Sequence, residues 1–399
     1  DISSTLPSDS RSYFYPGISS AFIFTDALEI DKSILNFGKI RAAWAKVGRD
    51  TDPYSLMNTY TIGTNFLGQP TGSIDVTSYD PNLKPEFTKE FEVGTELGFF
   101  NSRVNLDFTY YNRVSTNLLA AISVPTSSGY NSFFTNFGKI SNKGVEISLN
   151  VKPLSPESKV NWTLAAAFTK NNNMVVELTE GTERMALRGV LSGSISSYLE
   201  PGMPFGYLRG SKSLRDDEGN LLINPATGGM IEDASQEYNI GNPNPDFKLG
   251  INNTVAYKGF TLSALFDWTQ GGDMYSVTNS SLLGRGVTRD TEGREYNAII
   301  PGVYGDPTTG QAILDGNGNK IQNQTKLTVN DLYFSPDATL GQTFGINSAS
   351  EWAIYDATVF RLREITIGYE LPKTIFTNSF IKGINLSVSG RNLWHFAPN

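Results

Sequence analysis

VNLDFTY, residues 104–110, alternates without a break: Val104, Leu106, Phe108 and Tyr110 fall on one side, and Asn105, Asp107 and Thr109 on the other. A strand sends successive side chains to opposite faces, so such a run predicts a strand with one oily and one wet face. The same pattern recurs on both sides of it. Phe91, Val93, Leu97 and Phe99 oppose Glu92, Gly94, Glu96 and Gly98. Val145, Ile147, Leu149 and Val151 oppose Glu146, Ser148 and Asn150. Val160, Trp162, Leu164 and Phe168 oppose Asn161 and Thr163. The reading gives strands near 12–24, 36–47, 88–100, 103–113, 144–152, 159–169, 246–257, 260–269, 358–371 and 383–394, with a short helical turn near 25–35 and no long amphipathic helix.

The connections sharpen this. Asn101-Ser102 and Lys258-Gly259 read as two-residue turns, and 152–158 and 372–383 as short links. Between them lie long polar stretches near 48–87, 113–143, 170–246 and 270–357. Short and long connections therefore alternate. A soluble sandwich has no reason to gather its long loops at one end, whereas a transmembrane barrel has short periplasmic turns and long extracellular loops. Runs of about 9–13 residues cross a bilayer when tilted, and soluble strands average about 5–6. Trp44, Phe99, Phe100, Tyr110, Tyr111, Trp268, Tyr369 and Trp394 sit near strand ends, where interfacial girdles place aromatic rings. The fold predicted is all-β: a transmembrane antiparallel β-barrel with long extracellular loops.

Composition agrees. The 399 residues hold 24 Phe and 18 Tyr, carry a net charge of −8 and contain no cysteine. Aromatic residues favour strands. An acidic chain lacks the basic face that nucleic acid requires, and without cysteine there is neither a disulfide framework nor a thiolate metal site. No apolar run approaches the roughly 18 residues of a membrane helix, and the opening DISSTLPSDS is polar.

Several blocks resemble the SusC/RagA family of TonB-dependent outer-membrane transporters. PNLKPEFTKEFEVGTELGFFNSRVNLDFTYYNR (81–113) is one. The most specific carries the family's Asn-x-Gly-x-Ile-x-Asn-Lys-Gly-Val-Glu pattern at Asn136, Gly138, Ile140, Asn142, Lys143, Gly144, Val145 and Glu146. GNPNPDFKLGINNTVAYKGFTLSALFDWTQGGDMY (241–275), FRLREITIGYELP (360–372) and LSVSGRNLW (386–394) follow in order. The resemblance implies location in the outer membrane of a Gram-negative bacterium. It implies TonB-driven import of oligosaccharides or oligopeptides, with a SusD-like surface lipoprotein as partner and TonB acting through an N-terminal region not visible here. It also implies a longer polypeptide: about ten of 22 strands are present, equivalent to strands 12 to 21, with a plug before them and a closing strand after residue 399.

The residues carry little enzymatic chemistry. His395 is the only histidine, so a catalytic triad or a multi-histidine metal site lacks material. GSISS (193–197) is not a nucleophile elbow, for no second glycine follows it at the required place. RDDEGN (215–220) and DGNGNK (315–320) present oxygen-rich loops of the sort calcium favours, and equally of the sort that makes ordinary turns. Glu92, Glu96, Asn105, Asp107, Glu146, Asn161, Asn252 and Asp267 fall on polar strand faces and are candidates to line a solute path. Any water-filled barrel needs such a face. Tyr198, Tyr207, Tyr238 and Tyr275 in the long loops are candidates to stack on sugar or grip peptide, as are Phe205, Tyr296 and Tyr304. The same rings can instead pack the loops together. Three classes remain open at this level: an active transporter, a passive porin or outer-membrane barrel enzyme, and a soluble all-β adhesin or binding protein.

Overall fold

The alternating runs assemble into one ten-stranded antiparallel sheet in the computed structural model of the chain. The structure describes residues 1–192, 195–334, 348–377 and 380–398. Gly193 and Ser194 of GSISS, and 335–347 of the last long loop, lie outside the described residues. The wall strands are β1 (Gly17–Ile23), β2 (Leu35–Arg49), β3 (Glu86–Phe99), β4 (Val104–Thr116), β5 (Gly138–Val151), β6 (Val160–Leu178), β7 (Phe247–Tyr257), β8 (Phe260–Gln270), β9 (Val359–Glu370) and β10 (Asn385–Phe396). Each pairs with its neighbours in chain order, so the sheet is a simple meander. Among the described residues β1 and β10 do not pair with each other.

That order puts the described residues of 24–34, 100–103, 152–159, 258–259 and 371–384 at one end of the sheet, and those of 50–85, 117–137, 179–246 and 271–358 at the other. The helix Phe24–Ala27 sits in the first short connection. Lys258 and Gly259 both have positive φ (48° and 85°), the geometry of a two-residue hairpin whose twist matches the flanking strands. The 100–103 connection differs from its reading as a two-residue turn. Phe99 pairs with Val104, and Phe100, Asn101 and Ser102 all have positive φ. The turn opens because it is tied sideways: Ser102 donates its backbone N–H to Asn36 Oδ1 at 3.0 Å, and Phe100 donates to the Ile34 carbonyl at 2.8 Å.

Register sorts the two faces. Phe99, Leu97, Val93 and Phe91 share a face with Val104, Leu106, Tyr110 and Asn112, while Glu96, Glu92 and Glu90 face the same way as Asp107, Tyr111 and Arg113. Tyr111 therefore belongs to the polar face and not to an aromatic girdle. The apolar face is uncovered: Ile40, Phe91, Leu262 and Ile367 are all exposed, Ile367 at 56%. Its rings touch across strands, Phe168 to Phe247 at 5.4 Å, Phe247 to Trp268 at 5.0 Å and Phe260 to Tyr369 at 4.3 Å.

Two strands run further than their polarity suggests. β5 starts at Gly138 and β6 continues to Leu178, although 138–143 and 170–178 read as loop. These polar ends pair with each other, Lys143 with Asn172 and Gly138 with Leu178, so their backbone groups are satisfied without an apolar face. β1 is shorter than its reading as 12–24 and begins at Gly17. The long connections fold on their own. Leu119–Ser123 pairs with Ser132–Asn136, and Met185–Ser192, Ile195–Leu199, Tyr207–Ser213 and Glu232–Gly241 form a four-stranded sheet. The buried clusters lie at this end, around Phe137, Val175 and Leu199, around Ile223, Ile300 and Leu327, and around Leu222, Ile231 and Val303.

Candidate functional site

The polar face is the richest side-chain assembly of the wall, and Arg41 on β2 is its hub. Its guanidinium donates to both carboxylate oxygens of Asp107 on β4, at 2.8 and 3.0 Å, and to Glu96 Oε1 on β3 at 3.0 Å. It also donates to Thr109 Oγ1 at 2.5 Å. Lys39 reaches Glu96 Oε1 at 2.5 Å, and Glu92 stands 3.9 Å from Arg41 Nε. A fork pairing two carboxylates suits arginine, whose planar donors fit them bidentately.

Gly94 makes room for this. It pairs with Arg41 on one side and Thr109 on the other. A Cβ there would stand 2.8 Å from the Phe108 carbonyl oxygen and 2.9 Å from Arg41 Cζ, so only glycine lets the guanidinium lie flat across β3. Gly144 plays the same part on β5. It pairs with Tyr111, and a Cβ there would collide with that ring and with the Lys170 carbonyl oxygen. Tyr111 instead lies over the glycine and donates to Asn171 Oδ1 at 3.2 Å, and Asn171 donates to Asn142 at 3.1 Å.

Towards the long connections this amide row becomes a clasp. Asn173 donates to Asn244 Oδ1 at 2.6 Å and accepts the Phe205 N–H at 2.7 Å, and Asn244 returns a bond to the Phe205 carbonyl at 3.1 Å. The Asn-Pro-Asn-Pro segment thus pins the 201–206 turn to the wall. Arg113 and Glu90 form a two-pronged pair at 3.0 and 3.1 Å beside it.

Glu92, Glu96, Asn105, Asp107, Glu146 and Asp267 all occupy register positions on this one face. Glu96 pairs with Asp107, Glu92 with Tyr111, Glu146 with Thr109, and Asp267 with Gly250. A hollow of about 550 Å³ is lined by Glu96, Asn105, Asp107, Ser148, Asn150 and Asn252, among others. Asp267 stands apart, 4.0 Å from Arg363.

The four loop tyrosines do not form one surface. Tyr207 is wholly buried, with its hydroxyl bonded to Glu200, so no ring face is free and its reading as a stacking residue is corrected. Burial also pushes its hydroxyl pKa up. Tyr198 lies 6.4 Å from Tyr207, donates to Glu237 at 3.0 Å, and has the Arg184 and Arg209 guanidinium carbons each 5.9 Å from its ring centre. These contacts hold its ring in the loop, and it remains partly exposed. Tyr238 bonds to Asp233, and Tyr275 sits in the short strand Asp273–Tyr275; both remain partly exposed.

The two oxygen-rich loops are turns of the same build. Asp216 Oδ1 accepts the N–H groups of Glu218 and Asn220 at 2.9 and 2.8 Å, and Gly219 has φ +86°. Asp315 Oδ1 accepts those of Asn317 and Asn319, both at 2.8 Å, and Gly318 has φ +84°. Lys320, just after the second turn, lays its ammonium among the carboxylates of the first: Asp217 at 2.5, Asp216 at 3.0 and Glu218 at 3.3 Å. At the 215–220 loop the positive charge beside the carboxylates is thus that of Lys320. Burial pushes the Asp216 carboxyl up, but bonds from Asn220 and Lys320 outweigh it and hold the pKa at about 2.

A two-faced meander, all long connections at one end and a braced polar face is the anatomy of a barrel wall. Comparison with known proteins decides whose. Residues 1–393 match the family model described as TonB dependent receptor-like, beta-barrel. The chain belongs to this family of TonB-dependent receptor barrels. Among its relatives, TonB-dependent receptor P3 of Formosa agariphila is 25% identical over 99% of this chain and 38% of the relative's length. TonB-dependent receptor SusC of Bacteroides thetaiotaomicron is 25% identical over 96% of this chain and 36% of its own. The solved RagAB peptide importer in its closed-closed state superposes with a TM-score of 0.74 at 19% identity, covering all of this chain and 41% of the other, which establishes the fold. The chain thus spans about two fifths of the length of these relatives. The Asn136–Glu146 block of the receptor barrel lies where its residues are used: Gly144 seats Tyr111, and Asn136 caps the loop by donating to the Lys84 and Asn117 carbonyls, both at 2.8 Å. Neither Gly94 nor the Lys320 bridge had a signal in the sequence.

Proposed function

We propose that this chain forms part of the wall of an energised outer-membrane importer that takes up oligosaccharides or oligopeptides together with a SusD-like surface lipoprotein and with TonB. The observation that carries the reading is the sheet itself. One face is apolar and uncovered, the other polar and braced by Arg41, and every long connection lies at a single end. An uncovered apolar face belongs against lipid, and the polar face then lines a wet interior. In this reading Glu92, Glu96, Asn105, Asp107, Glu146 and Asp267 border the solute path. Tyr198, Tyr238 and Tyr275, each partly exposed, are the ring surfaces left for cargo or lipoprotein, since Tyr207 is buried. Family membership supports energised rather than passive transport.

The test uses the full-length polypeptide that contains this chain, in its own outer membrane. Uptake of labelled oligosaccharides and oligopeptides is compared in cells with and without TonB, and with and without the neighbouring surface lipoprotein. Import that needs both supports the proposal. Import unchanged without TonB makes the protein a passive pore, and a polypeptide that stays monomeric in water without detergent makes it a soluble binding protein.

A further inference from the structure

The apolar face carries a feature that the import reading does not use. On five adjacent strands one outward position towards the long-loop end is basic or amide: Lys46 next above Trp44, Lys89 above Phe91, Asn112 above Tyr110, Lys143 above Val145, and Lys170 above Phe168. Lys46 pairs directly with Lys89, and Lys143 with Asn112. Lys89, Lys143 and Lys170 are exposed, and Lys46 lies 3.7 Å over the Phe87 ring. None of the four forms an ion pair with a carboxylate among the described residues, although the chain carries a net charge of −8. No Asp or Glu holds an outward position from Gly38 to Lys46, Phe87 to Phe99, Val104 to Thr116, Ser141 to Val151 or Val160 to Met174. The paired outward positions of β7 to β10 carry no lysine or arginine; Phe247, Trp268, Phe360 and Phe396 stand there instead.

The lysines descend along the sheet. The Lys46–Lys89 row runs through Val114 and Ser141 to Met174, and Lys170 lies four residues before Met174 on β6, towards the short-turn end. Four residues are about 14 Å along a strand, and the four intervals from β2 to β6 about 19 Å across. The slope is therefore about 35°, the tilt of strands in a membrane barrel. The short-turn end steps the same way. Phe99, Val104, Val151 and Leu164 share one row, while Tyr257 pairs with Val160, four residues beyond Leu164. A line that follows the tilt is level in the bilayer. The four lysines thus stand at about one height near the long-loop edge of the apolar belt, with Phe87, Val114 and Met174 as the outward apolar side chains beyond them.

We propose that Lys46, Lys89, Lys143 and Lys170 form a basic arc on the outer wall that binds the phosphate groups of a phosphorylated glycolipid in the outer leaflet, on the β2–β6 side only. The inference rests on the membrane-wall reading above. A lysine stem lies along apolar surface while its ammonium reaches the headgroup layer. Charges at that height meet lipid headgroups before any protein partner, and unpaired lysines over an apolar belt match an anion that carries acyl chains.

The experiment uses the full-length polypeptide in detergent and native mass spectrometry with added phosphorylated lipid A. Dephosphorylated lipid A and inorganic phosphate are the comparison ligands. The variant carries Lys46→Gln, Lys89→Gln, Lys143→Gln and Lys170→Gln, and a control removes equal charge at the other rim through Lys152→Gln, Lys159→Gln, Lys258→Gln and Lys373→Gln. Heat-modifiable gel mobility reports folding; should the fourfold variant not fold, Lys143→Gln with Lys170→Gln carries the test. The result expected, at about a factor of five per lysine, is a loss of lipid A affinity of several hundredfold in the arc variant and of about 25-fold in the double variant, with the control unchanged. Equal binding by variant and wild type overturns the proposal, as does equal binding of dephosphorylated lipid A, or competition by inorganic phosphate at matching concentration. Loss of lipoprotein pairing with lipid binding intact would make the arc a protein-docking surface and also overturn it. A wild-type protein that inserts into bilayers while the arc variant binds normally sinks this inference alone; one that fails to insert sinks the import reading with it.

Discussion

Single residues on the polar face act through the space they leave as much as through the bonds they make. Gly94 has no catalytic or ligating chemistry, yet its missing Cβ lets Arg41 reach Asp107 and Glu96. Gly94→Val is expected to push the guanidinium out of plane and cost about 1–3 kcal/mol, as overpacking usually does, seen as a lower urea midpoint for the folded gel band in detergent. An unchanged midpoint would mean that the network tolerates displacement. Asp216 offers a second test at this scale. Its pKa is about 2 when folded against an ordinary 3.8, so the carboxylate's contribution is complete above 3.8 and is lost as pH falls towards 2. Hydrogen exchange of the 214–223 and 313–321 amides, corrected for intrinsic rate, should rise across that window. Asp216→Asn should abolish the step. A step that persists in the variant would assign it to another carboxylate.

At the scale of elements, wall and loops are stabilised differently. The wall strands bury few side chains and depend on ladders and on their surroundings, whereas the long connections carry two small cores of their own and a third shared with Ile140 of β5 and Val175 of β6. Leu222 is fully buried against Ile231 and Val303, where two hairpins meet through the parallel pair Leu222–Val303 and Ile223–Tyr304. Leu222→Ala should cost about 2–4 kcal/mol locally. It should make 214–231 sensitive to protease while heat-modifiable mobility of the whole polypeptide stays intact. Joint loss of both would show that loops and wall unfold as one unit. Element boundaries were less legible than element identities. β5 and β6 extend through Asn- and Lys-rich stretches because a ladder outside lipid needs only backbone pairing, and polarity alone cannot mark where that ends.

For the whole molecule, the decisive fact is that, among the described residues, the ten-stranded sheet has two unpaired edges, β1 and β10. Free edges recruit other strands, and lipid offers their backbone groups no partner. Expressed alone, this 399-residue chain should aggregate in detergent; flanked by the remaining strands of a barrel it should run as a heat-modifiable monomer. Gel filtration of the two forms checks this, and a monodisperse isolated chain would indicate that its edges are covered in some other way.

The alternation of VNLDFTY and its neighbours, together with the spacing of turns and long polar stretches, already determined the fold class, the two faces of the wall and the face on which Glu92, Glu96, Asp107 and Glu146 stand. Those properties are local: a period of two dictates which way each side chain points, whatever the strand later pairs with. Tertiary structure alone decided what meets what. It buried Tyr207, turned Tyr111 onto Gly144, brought Lys320 to Asp216 across 103 intervening residues, and set four lysines at one height. None of these can be read along the chain, because each depends on register or on the return path of a long loop, which no short window of residues contains.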